Sequence, residues 1–216
     1  MTARDQPRIE WTDGVPVAAA FGDPYYSLGD GAAEAAHVFL AGNGLPARLA
    51  AGFHVAELGF GTGLNALVLA EALRGPECVT MTSFEAYPMA RDDMARALAA
   101  FPALDAAPLL DRWPCERLKL GALDLRIVIG DARDALPAWD GMADAWFLDG
   151  FAPARNPELW GPDLMAQVAA HTAPGGTFAT YSAAGHVRRA LDVAGFDVER
   201  VPGHGAKRHL SRGRLR

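Results

Sequence analysis

Three glycines at alternate positions constrain this chain more than any other feature. The stretch from Phe53 to Asn65 reads Phe-His-Val-Ala-Glu-Leu-Gly-Phe-Gly-Thr-Gly-Leu-Asn. Val55 and Leu58 read as a short strand with Glu57 near its carboxyl end. Gly59, Gly61 and Gly63 make a turn, and a helical pattern follows through Leu64, Leu67, Leu69 and Leu73. Strand, glycine turn and helix form the opening unit of a nucleotide-binding α/β domain. Glycines there allow a tight turn and let a ligand approach main-chain N–H groups.

The spacing narrows the ligand. Dinucleotide proteins use G-x-G-x-x-G, whereas this turn is G-x-G-x-G and Leu64 stands where the last dinucleotide glycine falls. A pyrophosphate needs that helix N-terminus clear, and an acidic residue two positions before the first glycine suits a cationic amino group better than a phosphate. S-adenosylmethionine has such an ammonium. On this reading Gly59, Gly61, Gly63 and Asn65 pack against its methionine and ribose, and Glu57 holds the ammonium directly or through water. The alternative is a tight strand–helix turn with no ligand.

The chain has 216 residues, enough for one α/β domain with an extension, and half of them are hydrophobic. Its two cysteines, Cys78 and Cys115, form no CxxC or Cys/His cluster, which argues against a disulfide framework and structural zinc. The first residues lack the basic-then-apolar form of a signal peptide, and no apolar run reaches membrane-spanning length. A cytoplasmic protein with no metal and no membrane partner is expected. Net charge is −6, but from His186 to Arg216 eight basic residues stand against three acidic ones. A basic tail on an acidic body is either an electrostatic footprint for RNA or a solvated face.

Before the glycine turn, Ile9 to Trp11 and Val15 to Val17 read as extended pieces around the turn Thr12-Asp13-Gly14. Phe21-Gly-Asp-Pro-Tyr-Tyr-Ser follows, and Ala32 to Leu40 reads as a helix that stops at Gly42-Asn43-Gly44. Residues 1–50 are thus an N-terminal extension packed on a core domain over 51–216. Tyr25 and Tyr26 lie over a ligand or pack as lid or core. Val79 to Phe84 is a second strand ending in Glu85, placed for ribose hydroxyls or left as a surface carboxylate. A helix over about 89–100 is followed by a loop-like stretch to Gly121. Leu123 to Ile129 is the third strand; Asp131 after it takes an adenine amino group, caps a helix starting at Ala132, or does both. Ala143 to Leu148 is the fourth strand. It ends in Asp149-Gly150-Phe151-Ala152-Pro153, the kind of strand end where function collects in open α/β sheets. The loop runs on through Asn156 to Trp160 into a helix to about His171. Thr177 to Tyr181 is a fifth strand after the turn Pro174-Gly175-Gly176, Ala184 to Ala194 a helix and Phe196 to Val201 a sixth strand. Lys207 to Leu210 reads as a short antiparallel strand. Strands and helices alternate, so the sheet is mainly parallel.

Six stretches together carry a resemblance: residues 21–27, Gly-Asn-Gly-Leu-Pro (42–46), 57–65, Phe-Leu-Asp-Gly-Phe-Ala-Pro-Ala-Arg-Asn-Pro-Glu-Leu-Trp (147–160), Thr-Tyr-Ser-Ala-Ala-Gly-His-Val-Arg-Arg (180–189) and Gly-His-Gly-Ala-Lys-Arg (203–208). The chain resembles the methyltransferase component of the tRNA 5-methylaminomethyl-2-thiouridine biosynthesis proteins over nearly its whole length. The resemblance implies a Rossmann-like class I methyltransferase fold that uses S-adenosylmethionine. Its implied substrate is a tRNA wobble uridine carrying a 5-aminomethyl group, and its product the methylaminomethyl form. In many relatives a fused flavin-dependent oxidase makes the aminomethyl intermediate. No second glycine-rich nucleotide motif occurs here, so a separate oxidase or another route to the precursor is expected.

On that footing Asp149 is the carboxylate that orients the attacking amine and stabilises the cation forming on nitrogen. Phe151 and Pro153 shape the base pocket, with Phe151 as a stacking surface and Tyr181 a further candidate. Arg155, Arg188, Arg189, Lys207 and Arg208 are candidates for phosphate contact, each with a plain surface role as the alternative. Three other functions fit less of the chain. A methyltransferase for a small-molecule or protein amine differs only in needing no RNA. A catalytically silent binding module leaves Asp149 in its strand-end loop unexplained, and Leu64 with Glu57 speaks against a nicotinamide-dependent oxidoreductase.

Overall fold

The structure, a computed structural model, describes residues 6–27, 30–73, 78–205 and 208–216. The chain opens on a hairpin of β1 (Ile9–Thr12) and β2 (Val15–Ala18). Its turn residues Asp13 and Gly14 have φ of 49° and 81°, the doubly positive pattern that matches strand twist in tight hairpins. The short β3 (Asp23–Pro24) pairs with β2. Helix α1 (Gly31–Ala35) is capped by Asp30, whose side chain accepts from Ala33 N, and it runs on as a π-helical turn over Ala36–Leu40. Gly44, with φ of 70°, ends it, as the Gly-Asn-Gly stop requires.

Then the α/β pattern begins. β4 (His54–Leu58) leads through the glycine turn into α2 (Leu64–Ala72), and β5 (Val79–Glu85) into α3 (Arg91–Leu98). The stretch 101–121, expected as loop, instead holds α4 (Ala107–Arg112) and β6 (Arg117–Leu120). Pro108 lies in the first turn of α4, where a missing N–H costs no helical hydrogen bond. β7 (Leu123–Ile129), α5 (Ala132–Ala135) and β8 (Ala143–Leu148) follow. After a 3-10 turn over Pro157–Trp160, α6 is Pro162–Ala170, so the expected helix starts later and is broken at Gly161. β9 is Thr172–Thr180, longer than expected. Gly175, with φ of 72°, lies where its register against β8 shifts, so the expected turn is a bulge inside the strand. α7 (Gly185–Ala194), β10 (Phe196–Pro202) and β11 (His209–Leu215) complete the chain. The last strand thus reaches well past Leu210.

The eight-stranded sheet has the order β10-β11-β9-β8-β4-β5-β7-β6. β7, β5, β4, β8 and β9 are parallel; β6 and β11 run against their neighbours. Strand order reverses between β4 and β8, which places a crevice at their carboxyl ends. Alternate residues of the central strands enter two cores. Val55, Met81, Leu125 and Phe147 lie in one, and Ala56, Phe84, Trp146 and Leu148 in the other.

The first fifty residues join the first core through Val15, Tyr26, Val38, Phe39 and Leu45. Tyr26 OH donates to Ala97 O at 3.0 Å, and the Arg96 guanidinium stands 3.8 Å from the centre of the Trp11 ring. Asn43 Nδ2 donates to Trp146 O at 3.2 Å. The hairpin and Tyr26 are thereby fixed against α3, and the turn at Asn43 against β8. Among the described residues no helix is long and apolar enough to cross a membrane.

Candidate active site

The carboxyl ends of β4, β5, β7, β8 and β9 surround a cavity of about 870 Å³, which Phe21, Tyr25 and Tyr26 of the N-terminal segment also line. The glycine turn forms one wall. Gly59 has φ of 85°, and a Cβ there would stand 3.0 Å from the Asp149 carbonyl oxygen. This glycine therefore lets β4 and β8 end side by side. A Cβ on Gly61 would meet the Tyr25 ring at 3.2 Å, and one on Gly63 would meet Leu109 at 2.8 Å. Gly59 and Gly61 line the cavity; Gly63 is the residue before α2, behind the wall.

Glu57 is fully buried and does not line the cavity. Its Oε1 accepts from Asn65 Nδ2 at 2.8 Å and its Oε2 from Ser83 Oγ at 2.5 Å. Burial pushes its carboxyl well above the usual carboxylate range, and the charges of Asp149 and Glu85 add to this against the two hydrogen bonds. Asn65 does line the cavity, between Glu57 and Asp149.

Glu85 lines the cavity at the end of β5. Its Oε2 accepts from Gly61 N and its Oε1 from Tyr87 N, each at 2.8 Å, so it ties the glycine turn to its own loop. Burial raises its pKa, with these backbone N–H groups pulling the other way. Asp131 and Ala132 line the next sector. Asp131 caps α5 by accepting from Arg133 N at 2.9 Å and takes a bidentate ion pair from the Arg133 side chain. The Arg133 guanidinium holds its carboxyl below the usual range, and Arg133 also reaches Glu158 at 3.3 Å.

Asp149 stands at the end of β8. Its Oδ2 accepts from Asn65 Nδ2 and its Oδ1 from Gly150 N, each at 2.8 Å. The loop beyond is tied at several points. Tyr181 OH donates to Gly150 O, Trp160 Nε1 to Phe151 O at 2.9 Å, and Ala152 N to Asp23 Oδ2 at 2.7 Å. Phe151 stacks on Phe21 with ring centres 4.5 Å apart and takes the edge of Tyr25 at 5.1 Å. Burial pushes the Tyr25 and Tyr181 hydroxyls far above the ordinary phenol value, so both are neutral.

Phe151 and Tyr181 line the cavity; Pro153 does not. Arg155 is exposed, with Nη1 3.4 Å from Phe21 O. Arg188 is half-buried on α7 with a buried Nε that has no hydrogen-bond partner among the described residues, Arg208 is exposed, and Lys207 lies outside the described residues. Sequence reasoning passed over Asp23, Phe21 and Arg133. The density of aromatics around Asp23 was the available signal for the first two. For Arg133 the local signal was Asp131 two residues before it; its second partner, Glu158, comes from a separate element.

Together these features define a small-molecule site at a topological switch point, with acidic side chains at the carboxyl ends of β5, β7 and β8. Residues 104–216 match the family described as S-adenosyl-L-methionine-dependent methyltransferase, and the chain belongs to that family. It is 46% identical over 222 residues to the tRNA 5-methylaminomethyl-2-thiouridine biosynthesis bifunctional protein MnmC of Caulobacter sp. (strain K31), covering 94% of this chain and 37% of that protein. The protein of the same name from Aromatoleum aromaticum is 46% identical over 228 residues, covering 98% of this chain and 36% of the relative. The chain thus spans little more than a third of these relatives. The crystal structure of MNMC2 from Aquifex aeolicus superposes with a TM-score of 0.75 at 26% identity, covering 97% of this chain and 70% of that one.

The fold is accordingly a Rossmann-like class I methyltransferase, and S-adenosyl-L-methionine is its methyl donor. The site fits that donor. The cavity is of a size for a nucleoside with an amino-acid tail. Its wall presents carboxylates at the ends of β5 and β7 and a glycine turn at the end of β4.

Proposed function

We propose that the chain methylates the amine of 5-aminomethyl-(2-thio)uridine at the tRNA wobble position, giving 5-methylaminomethyl-(2-thio)uridine. The observation that carries this reading is Asp149: a carboxylate held by two hydrogen bonds on the cavity wall, between the glycine turn and the aromatic Phe151. The naming of the MnmC relatives supports the substrate.

S-adenosyl-L-methionine supplies an electrophilic methyl group on a sulfonium. The neutral substrate amine displaces it in line, and S-adenosylhomocysteine leaves. Asp149 orients the amine N–H groups and stabilises the positive charge that develops on nitrogen. Gly59, Gly61 and Asn65 hold the amino-acid and ribose portions, with Gly63 and Glu57 behind them. Glu85 takes the ribose hydroxyls, and Asp131 with Ala132 borders the adenine. Phe151 and Tyr181 bound the base, with Pro153 stiffening the loop. Arg155, Arg188, Lys207 and Arg208 meet phosphates. Residues 1–50 form an extension of one methyltransferase domain over 51–216. The precursor amine comes from a flavin-dependent oxidase acting upstream, and a tRNA substrate places the work in the cytoplasm.

The test is transfer of labelled methyl to tRNA from a strain lacking this modification, read by nucleoside mass spectrometry. Label in 5-methylaminomethyl-(2-thio)uridine is expected. Methylation of a free amine with no dependence on RNA would replace this substrate by a small molecule.

A further inference from the structure

Asn65 joins two carboxylates that the sequence gives no reason to connect. Its side-chain amide has two N–H groups and one carbonyl oxygen. Nδ2 lies 2.8 Å from Glu57 Oε1 and 2.8 Å from Asp149 Oδ2, so both N–H groups are committed. This pairing decides which way round the amide stands, because the reverse would set its oxygen against two carboxylate oxygens. Oδ1 is left over. It accepts no hydrogen bond from the described residues, and Asn65 lines the cavity.

Glu57 has no exposed surface and lies outside the cavity wall. Direct contact between its carboxyl and a ligand in the cavity is therefore blocked by its neighbours. Its remaining oxygen is taken by Ser83 Oγ. The bond to Asn65 needs only a lone pair on Oε1, so it persists whether or not the carboxyl carries a proton.

We propose that Glu57 is a positioning residue acting through Asn65: it holds the amide so that Nδ2 orients Asp149 and Oδ1 accepts from the ammonium of the methyl donor. The inference rests on the proposed placement of the donor against the glycine turn. One amide then links the amino-acid end of the donor to the carboxylate that faces the substrate amine. A shift in either is felt by the other through a single rigid group.

Two ligands separate this role from a structural one. S-adenosylhomocysteine carries the amino-acid end, and 5′-methylthioadenosine lacks it. Both are titrated calorimetrically into the wild type, Glu57→Ala and Asn65→Ala, with Glu57→Gln as the control. Alanine at 57 removes the acceptor that holds the Asn65 amide, and alanine at 65 removes Oδ1 itself; glutamine at 57 keeps an oxygen toward Asn65 and turns its NH₂ to Ser83 Oγ, so it retains the arrangement. S-adenosylhomocysteine is expected to bind more weakly by on the order of tenfold in both alanine variants, as for a lost hydrogen bond to a charged group, with 5′-methylthioadenosine unchanged and Glu57→Gln binding both as the wild type does. Equal weakening of both ligands, or undiminished S-adenosylhomocysteine affinity in the alanine variants, overturns the proposal. If Glu57→Ala does not fold, Asn65→Ala decides alone. Methyl transfer to tRNA is scored separately: wild-type protein that binds S-adenosylhomocysteine but leaves tRNA unmethylated removes the tRNA reading and leaves this inference standing.

Discussion

Asp149 owes its direction to donors on both sides, Asn65 Nδ2 at one oxygen and Gly150 N at the other. An asparagine at 149 can keep only one of these bonds as an acceptor, and it removes the charge. Asp149→Asn is expected to lower kcat by on the order of 10²–10³, the cost of one preorganised electrostatic partner. Affinity for S-adenosyl-L-methionine should hardly change. Single-turnover transfer with calorimetry in parallel checks both; full activity would take Asp149 out of the chemistry. Glu57 makes a prediction of a different kind. Its pKa is raised in the folded state, chiefly by burial. Above the ordinary carboxylate value of 4.5 the unfolded chain releases this proton while the folded chain keeps it, so Glu57 costs stability as pH rises through that window. Relative to wild type, Glu57→Gln should gain stability between pH 4 and pH 7, read from urea unfolding at both. A pH-independent difference would show that the carboxyl is ionised in the folded protein.

At the scale of elements, the glycine turn serves strand packing as much as ligand approach. Gly59 and Gly121 both have positive φ, 85° and 58°. A Cβ on Gly59 meets the Asp149 backbone, whereas one on Gly121 meets nothing within 4 Å. Alanine at either position should cost about 1–2 kcal/mol in unfolding free energy from the left-handed backbone alone. Gly59→Ala should also lose methyl transfer by displacing the Asp149 loop, and Gly121→Ala should keep it. Equal activities in the two variants would detach the first glycine from the site. The parallel strands were legible because each is a short apolar run closed by a polar or glycine signal, as in β5 before Glu85 and β8 before Asp149. β6 was not, although Leu118 and Leu120 are buried between exposed Arg117 and Lys119. Four alternating residues beside Pro114 carry too little pattern to outweigh a proline-rich setting. Asp131 was read with both its possible roles because a cap is a local signal. The bond from Ala152 to Asp23 and the Asn65 bridge were invisible, since each joins segments that only folding brings together.

Over the whole molecule, the excess of positive charge near the carboxyl terminus is not spread evenly. β11 runs against β9, with Ser211 opposite Thr180 and Arg214 opposite Thr177. Its first residues therefore lie at the cavity edge of the sheet and its last residues at the far edge. Two of its cations are already paired: Arg212, opposite Ala179, with Glu199 at 2.6 Å, and Arg216, just past the strand's far end, with Asp192 at 3.0 Å and Asp197 at 3.3 Å; Arg214 at the far edge has no ion pair among the described residues. Arg189 lies midway along α7, and Arg208 just before β11. Both are exposed, and neither has an ion pair among the described residues. On a chain of net charge −6, we propose that these two cations are where a polyanion is held. Arg189→Glu with Arg208→Glu should weaken tRNA binding and reduce the slope of log affinity against log salt by about 1 for each phosphate no longer neutralised. Arg212→Ala with Arg216→Ala should leave affinity and slope near the wild type, because those guanidinium groups already serve carboxylates. Fluorescence anisotropy with labelled tRNA across a salt series measures both pairs. The same weakening from both would mean that tRNA reads only net charge, and weakening confined to the second pair would move the RNA to the ion-paired face of β10 and β11.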